Sequence, residues 1–163
     1  MNPMTDKEEI IKDGLVEELD ERGQLSARRN YKNGERDGLQ EHFRENGQLW
    51  MRYYFKNGEL EGLYEDYYDN GQIEQKGFYK KGKHHGLCEW FHENGQVYSR
   101  QNYKDGKEDG PYEQHNENGQ LWVRQNYKNG KLEGLSQVYY DNGQLSGRQN
   151  YKDGKAHGPC ECF

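Results

Sequence analysis

Apolar and polar positions along this chain recur with a period of 24 residues. Aromatic side chains stand at Phe43, Tyr67, Phe91 and Tyr139, and aliphatic ones at Leu49, Ile73, Val97 and Leu145 and again at Leu39, Leu63, Leu87 and Leu135. A second aromatic column runs through Tyr31, Phe55, Tyr79, Tyr103, Tyr127 and Tyr151. Glycines punctuate these columns. One set, in turns of the NGQ type, is Gly23, Gly47, Gly71, Gly95, Gly119 and Gly143; another, mostly after Lys-Asn or Lys-Asp, is Gly34, Gly58, Gly82, Gly106, Gly130 and Gly154; a third precedes Leu or Pro, from Gly14 to Gly158. The turn glycines alternate at spacings of 11 and 13 residues, too short for a helix plus a strand and right for two strands with their turns. The expected fold is therefore all-β: an elongated single antiparallel sheet of stacked β-hairpin repeats, twisted or curved.

Loop length decides which columns share a face, because a one-residue slip turns every side chain over. Glu45-Asn46-Gly47 suits a three-residue loop closed by a left-handed glycine; a two-residue turn is the competitor. With the longer loop Phe43 opposes Leu49, and parity puts all four apolar columns on one face. With the shorter one, Glu41 opposes Arg52 as an ion pair. Each buried apolar side chain is worth roughly 1.5–3 kcal/mol against at most about 1 for an exposed pair, which favours the three-residue loop. One hairpin buries too little to offset its own backbone entropy, so neighbouring units must stack.

The lattice sets the domain plan: residues 1–13 as a leader, with Thr5-Asp6-Lys7-Glu8 resembling the start of a short helical cap, then six 24-residue hairpin repeats and a terminal half-repeat over 14–163. The half-repeat ends in an edge strand that offers itself for pairing with another chain or a second copy. Net charge is −6 with both signs interleaved, which gives no pull toward nucleic acid. No stretch has the apolar length of a signal peptide or a membrane span, so the expected location is intracellular.

Two charged columns invite a chemical reading. The cations Arg28, Arg52, Lys76, Arg100, Arg124 and Arg148 recur once per repeat, with Trp50, Tyr98 and Trp122 two residues before three of them. On the three-residue-loop register they form a cation and aromatic ladder on the polar face, a candidate partner-binding surface, although such arginines commonly just pair with neighbouring carboxylates. The acids Glu17, Glu41, Glu65, Glu89, Glu113 and Glu161, interrupted by Gln137, fall awkwardly on the apolar face. Equivalent environments argue against the split pKa values that acid-base hydrolysis needs. Cys88, Cys160 and Cys162 show no metal or disulfide spacing, and Cys88 and Cys160 sit in a column that tolerates Val16, Gln40, Tyr64, Tyr112 and Ser136. His84-His85 lacks further ligands in sequence. No metal, cofactor or catalytic group is expected.

The run Tyr-Lys-x-Gly-x3-Gly-Leu, with Phe for Tyr or Pro for Leu in some units, followed by x6-Asn-Gly-Gln, recurs five times in full from Tyr31 onward. In this the chain resembles the MORN-repeat variant family, which includes antitoxin-like bacterial proteins and repeat proteins of large DNA viruses. The resemblance implies stacked antiparallel hairpins. It also implies a non-catalytic scaffold or structural component that binds another protein, with a virion component, an antitoxin-like neutraliser and peripheral binding to anionic lipid as alternatives.

Overall fold

The computed structural model describes residues 13–163; the expected leader helix lies outside the described residues. Strands follow one another as β1 (Gly14–Leu19), β2 (Leu25–Lys32), β3 (Glu35–Phe43), β4 (Leu49–Lys56), β5 (Glu59–Tyr67) and β6 (Ile73–Lys80). The next strand is interrupted at His85, giving β7 (Lys83–His84) and β8 (Gly86–Phe91), before β9 (Val97–Lys104), β10 (Lys107–His115) and β11 (Leu121–Lys128). A second interruption gives β12 (Lys131–Leu132) and β13 (Gly134–Tyr139), followed by β14 (Leu145–Lys152) and β15 (Lys155–Cys162). All belong to one antiparallel sheet in sequential order, with β7 and β12 pairing only with β6 and β11. Among the described residues there is no helix, hence none long and apolar enough to cross a membrane.

The two turn-glycine columns make different turns. Around Gly47 the loop has three residues: the Gly47 amide donates to the Arg44 carbonyl and the Arg44 amide to the Gln48 carbonyl, both at 2.8 Å. Around Gly58, Asn57 (φ 48°) and Gly58 (φ 76°) are both left-handed, the signature of a two-residue type I′ turn. A carboxylate of the preceding unit secures four of the six such turns. Asp37 accepts the Asn57 amide at 3.1 Å, Glu61 the Lys81 amide at 2.8 Å, Asp109 the Asn129 amide at 3.1 Å and Glu133 the Asp153 amide at 2.9 Å. These bonds, each 20 residues apart, lock one hairpin to the next.

Two irregularities decide the faces. Phe43 pairs with Leu49 as the three-residue loop requires, yet His42 pairs with Met51 and Glu41 with Arg52, so Trp50 is an extra residue in β4. The same one-residue bulge recurs beside each three-residue loop. A second bulge sets three residues, Glu61 to Leu63, against Tyr54 alone, since Tyr53 pairs with Tyr64 and Phe55 with Leu60. It preserves parity.

The expectation of four apolar columns on one face is therefore corrected. Phe43, Leu49 and Leu39 share one face, whereas the bulge sends the Tyr31–Tyr151 column to the other. The Glu41–Arg52 pair and the three-residue loop coexist because the extra residue separates them. On the second face lies the column that composition alone makes look merely tolerant. Gln40, Tyr64, Cys88 and Ser136 are buried there beside Ala27, Ser99 and Gln101, the best-covered residues of the sheet. Residue sizes along this row compensate. Gly77 sits between Tyr64 and Cys88, and a Cβ on it would come within 2.7 Å of both the Cys88 sulfur and the Tyr64 ring.

Two stability changes follow. Gly77→Ala, whose φ is unexceptional, overpacks this row and lowers the unfolding free energy by about 1–3 kcal/mol in urea titration. Among the described residues Lys81 is the one left-handed turn residue (φ 49°) that is neither Asn, Asp nor Gly. Lys81→Asn raises stability by about 0.5–1 kcal/mol, read as a higher urea midpoint at unchanged slope.

Candidate binding surfaces

On the first face the two charged columns merge into one. Pairing runs Glu17, Arg28, Glu41, Arg52, Glu65, Lys76 and Glu89 from strand to strand, then Arg100, Glu113, Arg124, Gln137, Arg148 and Glu161. Signs alternate across the whole sheet, broken only at Gln137. Arg28 Nε lies 2.9 Å from Glu17, Lys76 Nζ 3.1 Å from Glu89, Arg100 Nε 2.8 Å from Glu89, Arg124 Nη2 3.0 Å from Glu113 and Arg148 Nη2 2.7 Å from Glu161, while Arg52 bonds Glu65. Cations also cover the flanking aromatics: Arg28 lies 5.4 Å over Phe43, Lys76 5.2 Å over Phe91 and Arg148 5.7 Å over Phe163. Burial pushes the Glu89 carboxyl up, but the bonds from Arg100 and Lys76 outweigh it and hold it below the usual range. Glu65 behaves likewise through Arg52 and Tyr67.

The aromatic residues expected to interleave with these cations do not all join them. Trp50 and Tyr98 occupy the bulge, which swings them toward the opposite face. Trp50 packs edge-on to His42, and the Tyr98 hydroxyl accepts a 2.8 Å bond from Gln114, whose strand partner is Ser99. Trp122, in the equivalent bulge, is 47% exposed. The ladder is thus arginine with glutamate. Trp50 and Tyr98 belong to a second surface.

That second surface holds two hollows. One, about 370 Å³, is walled by Tyr53, Phe55, Tyr79 and Trp90 with the Asp66 carboxylate in its lining. The other, about 330 Å³, is walled by Trp90, Tyr98, Tyr103, Tyr112 and Tyr127 around Glu108. In the lining of the first, His84 Nδ1 stands 3.6 Å from the Cys88 sulfur, a cysteine and histidine pair that sequence spacing did not suggest. Burial raises the Cys88 pKa and lowers that of His84, so both groups rest neutral, and the sulfur is fully enclosed. This is packing, not an activated nucleophile. Among the described residues no group of three or more His, Cys, Asp or Glu side chains could hold a metal.

The gap at Gln137 gives a direct test of the ladder. Gln137→Glu completes the alternation between Arg124 and Arg148 and adds about 0.5 kcal/mol of stability. Glu89→Gln, at a side chain only 14% exposed and bonded to two cations, removes more than about 1 kcal/mol. Chemical denaturation at low and at 1 M salt checks both, and salt shrinks both differences.

No curated protein sequence matches the chain. Among solved structures, a glycine-to-arginine mutant of S. aureus TarM, crystallised with Fondaparinux, alpha-GlcNAc-glycerol and UDP, is similar at 17% identity and a TM-score of 0.38. The similarity covers 59% of this chain and 19% of that one. The family model described as MORN repeat variant matches residues 12–33, 36–57, 60–81, 85–105, 108–129 and 132–153. Repeats of this kind are generally non-catalytic modules for interaction or membrane binding. With six successive matches laid along the hairpins of its sheet, the chain belongs to the MORN repeat variant family.

Proposed function

We propose that this chain is a non-catalytic scaffold that binds another protein through the open faces of its sheet. The observation that carries the reading is that the sheet is a single layer, so large apolar side chains stay in water on both sides. Leu63 is 58% exposed on the ladder face, beside Tyr54 and Phe78, and Trp122 is 47% exposed in its bulge. Rows of exposed aromatics and leucines mark surfaces that associate.

The charge pattern favours a protein over an anionic lipid surface. Six ladder cations face six carboxylates, so the ladder carries no net positive charge, and the chain as a whole is at −6. A polybasic lipid site needs uncompensated cations. An enzymatic role finds no support in the neutral, enclosed Cys88 and His84 pair. Neutralising a toxin or building a viral particle are both special cases of the same scaffold.

Affinity capture from the native source, with cross-linking and mass spectrometry, is expected to yield a specific protein cross-linked to residues of the sheet. Flotation with phosphatidylcholine vesicles, with and without phosphatidylserine, is expected to show no dependence on anionic lipid. Capture of no protein together with anionic-lipid-dependent flotation overturns the reading.

A further inference from the structure

Every charge on the ladder face has an opposite neighbour, but the aromatic face carries two acids without one. Among the described residues neither Asp66 nor Glu108 forms an ion pair; Asp66 only accepts a hydrogen bond from Gln75. Each lies half-buried in the lining of an aromatic hollow, and no Arg or Lys lines either hollow. Trp90 forms a wall of both. A carboxylate set among the faces of Tyr, Phe and Trp is a receptor for a cation, since ring faces and carboxylate attract the same charge. The chain makes contacts of this cation-over-ring kind itself: Arg36 lies 5.5 Å over the Phe55 ring and Arg44 5.9 Å over that of Trp50.

We infer that the aromatic face of the central repeats binds an extended segment of a partner protein by taking two of its arginine or lysine side chains into these hollows. This rests on the scaffold reading and names the chemistry of the partner. Asp66 on β5 and Glu108 on β10 are four strand steps apart and about four residues offset along the strands, roughly 23 Å by standard sheet spacings. An extended segment covers that span in about six to eight residues. Acidic and neutral segments are excluded by the unpaired carboxylates, as is a nucleic-acid backbone.

The test uses the whole chain at pH 7.5 and a capped, fluorescently labelled Gly/Ser peptide carrying two arginines six residues apart, read by anisotropy. Saturable binding is expected. Replacing both arginines by citrulline, which keeps shape and loses charge, weakens it by about tenfold or more. Asp66→Asn with Glu108→Gln does the same, and Asp66→Asn keeps an oxygen for Gln75, so circular dichroism and the urea midpoint stay near those of the parent. No saturable binding, or equal affinity for the citrulline peptide or of the double variant, overturns the inference. If that occurs while affinity capture still yields a protein cross-linked elsewhere on the sheet, the scaffold reading stands and only the cationic-segment assignment falls.

Discussion

Register is the constraint from which the rest of this sheet follows, and it is set by a single extra residue beside each three-residue loop. Without the bulge at Trp50, Leu49 and Arg52 would point to opposite faces and the aromatic columns would crowd onto one of them. With it, leucine, arginine and glutamate share one side, and tyrosine, glutamine and cysteine share the other. Repetition then copies that choice along the sheet. One local decision, made again in each hairpin, produces both a continuous charge ladder and a continuous aromatic face.

The ladder's contribution lies less in energy than in alignment. Most of its cations are about two-fifths or more exposed, and an exposed pair is worth only about 0–1 kcal/mol. A strand displaced by one residue, however, would bring its cation among the tyrosines and strand a glutamate without a partner. A displacement by two would set charges against Phe43 or Leu39. Alternating signs thus penalise both errors, while burial of Gln40, Tyr64 and Cys88 on the other side and the carboxylate bonds to the type I′ turns supply cohesion. Neighbouring hairpins share all three devices, which is why the stack and not the hairpin is the unit of stability.

Much of this was legible in the sequence. Gly47 and Gly58, in their columns, announced hairpins and their period, and the apolar Phe43 and Leu49 pairing correctly selected the three-residue loop. The bulge was not legible because an inserted residue that recurs in every unit leaves the period unchanged. Its trace was a conflict: a column of glutamates apparently consigned to the apolar face, with arginines on the other. Two columns of opposite charge that parity separates are better explained by a bulge than by buried, unpaired acids. Gly77, outside all three glycine columns, was a second unread signal. Its lack of a side chain is the complement of Tyr64 one strand away, and only the pairing of β5 with β6 makes that visible.

Comparing the columns with one another separates what the fold needs from what this molecule adds. Positions that keep their chemistry from unit to unit, the turn glycines, the ladder charges and the Tyr31–Tyr151 column, are those that any hairpin of the stack requires. Positions that change are concentrated on the aromatic face: Glu18, His42, Asp66, Trp90, Gln114 and Val138 succeed one another at one site of the repeat, and Arg36, Leu60, His84, Glu108, Leu132 and Ala156 at another. Stability alone gives no reason for a lone aspartate at a site that elsewhere holds histidine, tryptophan, glutamine and valine, since a half-buried carboxylate without a cation carries a desolvation cost. In a protein built by repetition, such departures are where individual function can be written, because they are the only places where one unit differs from the next. Five of them, Leu60, Asp66, His84, Trp90 and Glu108, line the hollows midway along the sheet, which distinguishes that stretch of surface from the repeated pattern around it.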